Sequence, residues 1–204
     1  MILAAGLSKR LRPHTDDRPK CLLTAGGKTL LARQIDQLGR CGVRHIYVVT
    51  GYCADKVAAA RPAGEGVSCV YNPDYAASNN AFSLALALER VQGDFIYTMA
   101  DCIFGEEVLA RVIGHDADLA IAAECLPGRI GDDDVKVSVN DGRVVRIGKN
   151  IGRAPAHGRF AGAVKAGGKA GGLLRAELAR CLAASYLLPR PRGQDMSHGC
   201  RIIL

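Results

Sequence analysis

Tryptophan is absent from this chain, and aromatic residues make up only 5% of it. Proteins that hold single strands of nucleic acid stack bases on aromatic rings, so no such platform is expected. No block of five or more lysines and arginines occurs either, which argues against a nucleic-acid-binding tail. No apolar run approaches the ~20 residues that cross a bilayer. The N-terminus enters Met1-Ile2-Leu3-Ala4-Ala5-Gly6 directly, without the basic, apolar and small-residue order of a secretion signal. The eight cysteines, at 21, 41, 53, 69, 102, 125, 181 and 200, form no Cys-x-x-Cys pair. Such wide, irregular spacing argues against a zinc site. It fits reduced thiols in a cytoplasmic protein, mostly packed as small buried apolar groups. The five histidines, at 14, 45, 115, 157 and 198, show no ligand spacing and are assigned nothing.

What is present is an ordinary globular composition. The 204 residues are 49% hydrophobic and 23% charged, enough for one domain or one domain with a small appendage. Disordered, collagen-like and coiled-coil chains are excluded. The 27 lysines and arginines against 20 aspartates and glutamates leave a net charge of +7. That excess points to an anionic partner, and nucleotides, nucleic acid and membrane surfaces all qualify. Dispersed charge and scarce aromatics count against nucleic acid.

Apolar periodicity predicts the elements. Residues 1–5 are a short apolar run ended by Gly6, and residues 6–27 form a long loop of the kind that usually carries function. Helical spacing covers Lys28 to Cys41, Tyr52 to Ala60, Asn79 to Val91, Glu106 to Ile113 and Leu173 to Ala184. Apolar runs at Val43 to Thr50, Val67 to Tyr71, Asp94 to Met99, Leu119 to Glu124 and Phe160 to Lys165 read as strands. Asn140-Asp141-Gly142, flanked by Val135 to Val139 and Arg143 to Ile147, is a hairpin signal. Strand and helix alternate through the first hundred residues, and parallel strands need such crossovers. The expected fold is α/β: a doubly wound, mostly parallel sheet, Rossmann-like, with an antiparallel hairpin added at one side.

Four segments carry chemistry. The turn Leu3-Ala4-Ala5-Gly6 follows the first strand, and its small residues let backbone N–H groups approach a phosphate or base. Arg10 offers a planar fork for phosphate oxygens, and Pro19-Lys20 adds a point-like charge. On spacing alone, a tight turn with two solvated cations stays open. Gly27-Lys28-Thr29 is no Walker A end, because position 22 is Leu. Next comes Asn72-Pro73-x-Tyr75-x-x-Ser78-Asn79-Asn80-x-x-Ser83-Leu84. An asparagine carries donor and acceptor and so can read a base edge; helix capping by Asn79 or Asn80 is the plainer role. Asp101 closes the strand Ile96-Tyr97-Thr98-Met99-Ala100 and would face the same crevice as the glycine turn, where a carboxylate can share magnesium with phosphate. Lys149, in Arg146-Ile147-Gly148-Lys149-Asn150, follows the hairpin; Lys136 is a weaker candidate of the same kind. Glu124 ends a strand and could meet an acceptor or stand at the surface, and Asp132-Asp133-Asp134 reads as a solvated turn.

The string Leu3-Ala-Ala-Gly-x-Ser-x-Arg-Leu-x-Pro-x-Thr-x-x-x-Pro-Lys-x-Leu, followed by Gly27-Lys28-x-Leu30-Leu31, closely resembles the signature of the nucleotidyltransferase superfamily. The resemblance extends to about residue 165, and the Asn-Asn-x-x-Ser-Leu segment resembles the phosphocholine and inositol-phosphate cytidylyltransferase branch. It implies that Leu3, Ala4, Ala5 and Gly6 hold the nucleotide, that Arg10 and Lys20 grip its phosphates, and that Asn72 and Asn79 lie near base and ribose. It further implies that Asp101 holds Mg2+ and that Lys149 binds the acceptor's phosphate. The implied reaction moves CMP from CTP to a phosphorylated alcohol and releases pyrophosphate. A sugar 1-phosphate or molybdenum-cofactor acceptor is the alternative. Family members usually have Gly where Ala100 stands, and they carry residues ahead of the Leu-Ala-Ala-Gly motif. They also carry a second metal-binding Asp in an acidic segment near the C-terminus. Residues 1–184 are therefore expected to form the nucleotidyltransferase domain. Residues 185–204, dominated by Pro, Gly and Arg with Asp195 a poor substitute, read as an atypical tail, truncated or frame-shifted. A module that binds nucleotide without catalysis is the reading from outside the enzyme class.

Overall fold

The computed structural model describes residues 1–62, 66–125, 130–152 and 156–187. Alternation along the first strand, β1 (Ile2–Leu3), splits the apolar core in two. Ile2 and Ala4 point to one face, while Met1, Leu3 and Ala5 point to the other. On the first face Leu31, Ile35 and Leu38 of α1 (Leu30–Arg40) pack with Val57 of α2 (Ala54–Ala60) and with Leu109 and Val112 of α4 (Val108–Ile113). On the second, Leu84 and Leu88 of α3 (Asn80–Leu88) pack with Leu174 and Leu178 of α5 (Gly168–Leu187). Helices on both faces make the sheet doubly wound.

Strands β4 (Ile46–Thr50), β5 (Val67–Tyr71) and β6 (Phe95–Met99) join β1 in the order β5-β4-β1-β6, all parallel. The chain leaves β1 toward β4 and β5 and then returns across it to β6. The strand order therefore reverses at β1, and a crevice opens outside the carboxyl ends of β1 and β6. Open α/β sheets bind their ligands at that switch point.

Beyond β6 the sheet turns antiparallel. The long β10 (Gly158–Ala166) pairs with β6 in the register Ala163↔Thr98 to Ala166↔Phe95. It also carries β7 (Leu119–Glu124) and β8 (Lys136–Asn140), and β9 (Arg143–Gly148) pairs with β8. Asp141 and Gly142 have φ of 47° and 72°, the left-handed pair that a two-residue hairpin turn requires. The expected hairpin is thus present, but the antiparallel part is larger than it, since β10 and β7 also run against their neighbours.

Two further differences have identifiable causes. Helix α5 starts at Gly168, inside the glycine-rich bend rather than at Leu173. Its first N–H groups are capped from other segments: Gly168 N donates to Asp94 Oδ1 (3.0 Å) and Lys169 N to Asp118 Oδ2 (3.1 Å). The loop 6–27 holds two 3-10 turns, Lys9–Leu11 and Lys20–Leu22, and a short ribbon of β2 (Thr24–Ala25) and β3 (Lys28–Thr29). Thr15, 1% exposed, ties this loop by donating to Ser8 O (2.9 Å), and the Tyr52 hydroxyl donates to Asp16 O (2.5 Å). The expectation of mostly buried thiols is corrected: of the six described free cysteines only Cys21 is buried, Cys41, Cys53, Cys69 and Cys102 are half-buried, and Cys125 is exposed. Cys69 lies on the edge strand β5, and Cys41 and Cys53 stand at helix ends, which leaves them partial cover. Residues 188–204, most of the expected tail, lie outside the described residues.

Candidate active site

At the carboxyl ends of β1 and β6 lies a cavity of about 190 Å³. Leu3, Ala4, Gly6, Lys20 and Asp101 line it, so residues far apart in sequence meet where the topology leaves a crevice. Local structure explains each position. Ala4 N donates to Val49 O (2.8 Å), Ala100 N to Leu3 O (3.2 Å) and Tyr52 N to Ala5 O (3.2 Å), which holds the chain to the sheet edge as far as Ala5. Gly6 is exposed, and a Cβ built on it would meet nothing within 4 Å. Packing therefore does not demand glycine there, and the space before it is free for a ligand. Gly51 is the opposite case: a Cβ would stand 2.4 Å from Tyr75 Cβ and 2.7 Å from Ala5 O, so glycine lets β4 approach the turn.

Lys20 opens a 3-10 turn whose next residue, Cys21, is 2% exposed in the core. Anchoring Cys21 leaves the lysine at the cavity. Lys20 Nζ donates to Asp101 Oδ2 at 2.5 Å, with side chains 32% and 37% exposed. Asp101 rides on a turn closed by Cys102 N donating to Met99 O (3.1 Å). Ala100, where the family pattern has glycine, is 5% exposed and its methyl group belongs to the core. Burial pushes the Cys21 thiol up to about 12 and, with the Asp101 charge, Cys102 up to about 11. Both stay protonated at neutral pH, so neither serves as a thiolate nucleophile.

Other expected site residues fall elsewhere. Asn72 is fully buried. Its Nδ2 donates to Ser78 Oγ (2.9 Å) and Ser83 Oγ (3.0 Å), and its Oδ1 accepts from Asp74 N (2.9 Å). It fastens the 72–78 loop to α3 rather than presenting an amide to the cavity. Asn79 caps α3, its Oδ1 accepting from Phe82 N (3.1 Å). A capping side chain folds back on its own helix, and so the next residue, Asn80, lines the cavity instead. Ala5 is buried behind the turn, its carbonyl accepting from Tyr52 N (3.2 Å). Arg10 sits on the exposed turn Lys9–Leu11, outside the cavity lining. Lys149 is exposed past the end of β9 and does not line the cavity either. Lys136 is 2% exposed and donates to the carbonyls of Asp132, Asp134 and Lys149. Glu124 pairs with Arg159 at 2.5 Å across the β7–β10 ladder. Asp134 accepts from Gly131 N (2.7 Å) in the expected turn. Sequence reasoning missed Ser8, Cys21, Asn80, Met99 and Ala100 as lining residues. Ser8 and Asn80 stand inside the quoted motifs, and Met99 is two residues from Asp101.

Among the described residues no group of three or more His, Cys, Asp and Glu converges to hold a metal ion. Asp101 is the one carboxylate among the described residues that line the cavity. A single hard-oxygen ligand fits magnesium delivered with phosphates, since that ion is commonly held by one or two carboxylates plus substrate oxygens. A larger cavity, about 620 Å³, opens around Met1 and Phe95 at the amino ends of the strands. It lies away from the switch point, and the smaller cavity is the better site candidate for that topological reason.

A glycine turn, a lysine and a carboxylate gather at the switch point of this doubly wound sheet, where open α/β sheets place their ligand sites. Residues 1–132 match the model of the MobA-like NTP transferase domain, and the chain belongs to that family. It is 31% identical over 157 residues to the bifunctional IPC transferase and DIPP synthase of Aquifex aeolicus, covering 74% of this chain and 35% of that protein. It is 35% identical over 104 residues to the choline-phosphate cytidylyltransferase of Streptococcus pneumoniae, covering 51% and 45% respectively. The chain thus spans less than half the length of these two relatives. The fold is shared with the inositol-1-phosphate CTP transferase from T. maritima (TM-score 0.73, 23% identity, 93% of this chain and 75% of that one). No helix among the described residues is long and apolar enough to cross a membrane.

Proposed function

We propose that the protein is a cytidylyltransferase that moves CMP from CTP to a phosphorylated alcohol and releases pyrophosphate. The observation that carries this is the Lys20–Asp101 pair, 2.5 Å apart at a cavity where Gly6 leaves open space. A cation for phosphate, an oxygen ligand for metal and a backbone turn without a side chain are what a triphosphate needs in one place. The relatives' names support the cytidyl and phosphorylated-alcohol parts. An acceptor phosphate is ionised at neutral pH, so no general base is required. Its oxygen attacks the α-phosphorus in line, the bond to the β-phosphate oxygen breaks, and the electron pair leaves with pyrophosphate. Lys20 would neutralise the phosphates, with Arg10 joining from the rim loop, and Lys149 would meet the acceptor's phosphate. Mg2+, held by Asp101 and the phosphates, would supply further charge neutralisation when bound. The reading places the enzyme in the cytoplasm, which keeps its thiols reduced.

A second reading, a module that binds nucleotide without turnover, draws on the single carboxylate in the cavity. Pyrophosphate release from each of the four nucleoside triphosphates, with magnesium and a panel of choline phosphate, inositol phosphate, aminoethylphosphonate and glucose 1-phosphate, separates the cases. Release with CTP and an alcohol phosphate or phosphonate is expected. Release only with UTP and glucose 1-phosphate moves the assignment to sugar activation. Nucleotide-dependent thermal stabilisation without release supports the module, because a ligand that binds only the folded state raises its stability. No stabilisation by any nucleotide overturns both readings.

A further inference from the structure

We propose that Gln34 is a positioning residue for Asp101: it grips the turn that carries this carboxylate and sets where the metal–phosphate complex sits. The proposal rests on the nucleotidyltransferase reading. Gln34 lies in α1, and its side chain is wholly buried. Its Nε2 donates to Met99 O and to Cys102 O, both at 2.8 Å. Its Oε1 accepts from the Thr98 hydroxyl at 2.8 Å. All three bonds land on the end of β6 and the turn after it. Met99 and Cys102 are the first and last residues of that turn, and Asp101 is its third.

The geometry separates this role from ordinary core satisfaction. Cys102 N already donates to Met99 O, so the turn is closed without help. Gln34 adds a second donor to Met99 O and gives Cys102 O its partner, fixing both ends of the turn against a rigid helix. The Thr98 hydroxyl orients the amide, since only one flip of the group presents NH₂ to two carbonyls and oxygen to a donor. Gln37, one turn along the same helix, offers a built-in control. It is also buried and donates to Phe104 O (3.0 Å), beyond the Asp101 turn. Both glutamines staple the strand-to-helix connection, but only Gln34 touches the turn with the carboxylate. Catalytic geometry is sensitive at this scale, because misplacement of a charged group by about 1 Å can cost roughly 10²-fold.

The test is Mn2+ binding in the presence of CTP, read by electron paramagnetic resonance, together with kcat and acceptor KM and with thermal melts. Wild type, Q34M and Q37M are compared. Methionine keeps length and volume while removing the amide. The expected result is that both variants melt at reduced temperature, whereas only Q34M loses Mn2+ affinity, by about tenfold or more, with kcat falling and acceptor KM little changed. Folded Q34M with wild-type Mn2+ affinity and kcat overturns the proposal, as does an equal loss in Q34M and Q37M. If Q34M does not fold, T98V carries the same comparison, because it removes the hydroxyl that orients the amide while conserving shape. Wild type that binds no Mn2+ with CTP overturns the nucleotidyltransferase reading itself, and this proposal with it.

Discussion

Lys20, on a loop turn beside the parallel half of the sheet, and Lys136, on β8 of its antiparallel half, illustrate two uses of the same side chain. Lys20 stands at the carboxyl end of the parallel half, about one-third exposed, and holds a single carboxylate that is itself partly open to solvent. Lys136 stands in the antiparallel half, 2% exposed, and donates to three backbone carbonyls at 2.8, 3.3 and 3.1 Å. An ammonium group has three protons, so Lys136 has nothing left for a substrate. Leaving its seat would break three hydrogen bonds at once. Lys20 can exchange its one partner for phosphate at little cost. Burial and the number of fixed partners, more than residue type, divide scaffold from site.

The largest expected effect is on Lys20. Lys20→Ala should lower turnover by about 10²–10³-fold, the usual result of removing one preorganised charge-stabilising donor. Its melting temperature should stay near wild type, checked by circular dichroism beside pyrophosphate release. If Lys136→Ala matched that loss at unchanged stability, the contrast between the two lysines would fail. The expected outcome for Lys136→Met is instead a stability loss of about 1–3 kcal/mol, from the loss of hydrogen bonds made by a charged group, measured by urea unfolding.

The two glycines flanking the first turn sharpen the same contrast. Gly51→Ala should cost about 1–3 kcal/mol through overpacking against Tyr75 and the Ala5 carbonyl. Gly6→Ala should change stability by no more than about 0.5 kcal/mol and yet weaken CTP binding, followed by titration calorimetry. Equal nucleotide affinity in Gly6→Ala would remove that turn from the site. The smallest effect is a pH slope. Cys21 is raised by burial from an ordinary thiol value of 9.0 to about 12. Above pH 9 the unfolded chain releases this proton while the folded chain keeps it. The unfolded state then binds fewer protons, and stability falls as pH rises toward 12. Melting temperatures from pH 8.5 to 11 should decline less steeply in Cys21→Ala than in wild type.

Much of this was legible in the residues. Alternating apolar runs and helical spacing located β4, β5, β6, α1 and α3 to within a few residues, because each is built from local periodicity. The motif put Leu3, Ala4, Gly6, Lys20 and Asp101 in one site, and the structure brings these residues to one cavity. Asn72 and Asn79 bond within their own segments, which the sequence could not reveal because an asparagine looks the same whether it faces a base or bonds its own loop. The early start of α5 was invisible because its caps, Asp94 and Asp118, come from more than 50 residues upstream.

The family and the doubly wound plan were settled by the chain's own order, since periodicity and a long motif are local properties. That Asn80 rather than Asn79 lines the cavity, that Lys136 is spent on backbone carbonyls, and that Gln34 holds both ends of the Asp101 turn were decided only by the folded arrangement. Those facts depend on hydrogen bonds between segments distant in sequence, and the partner a polar group finds is a property of three-dimensional packing.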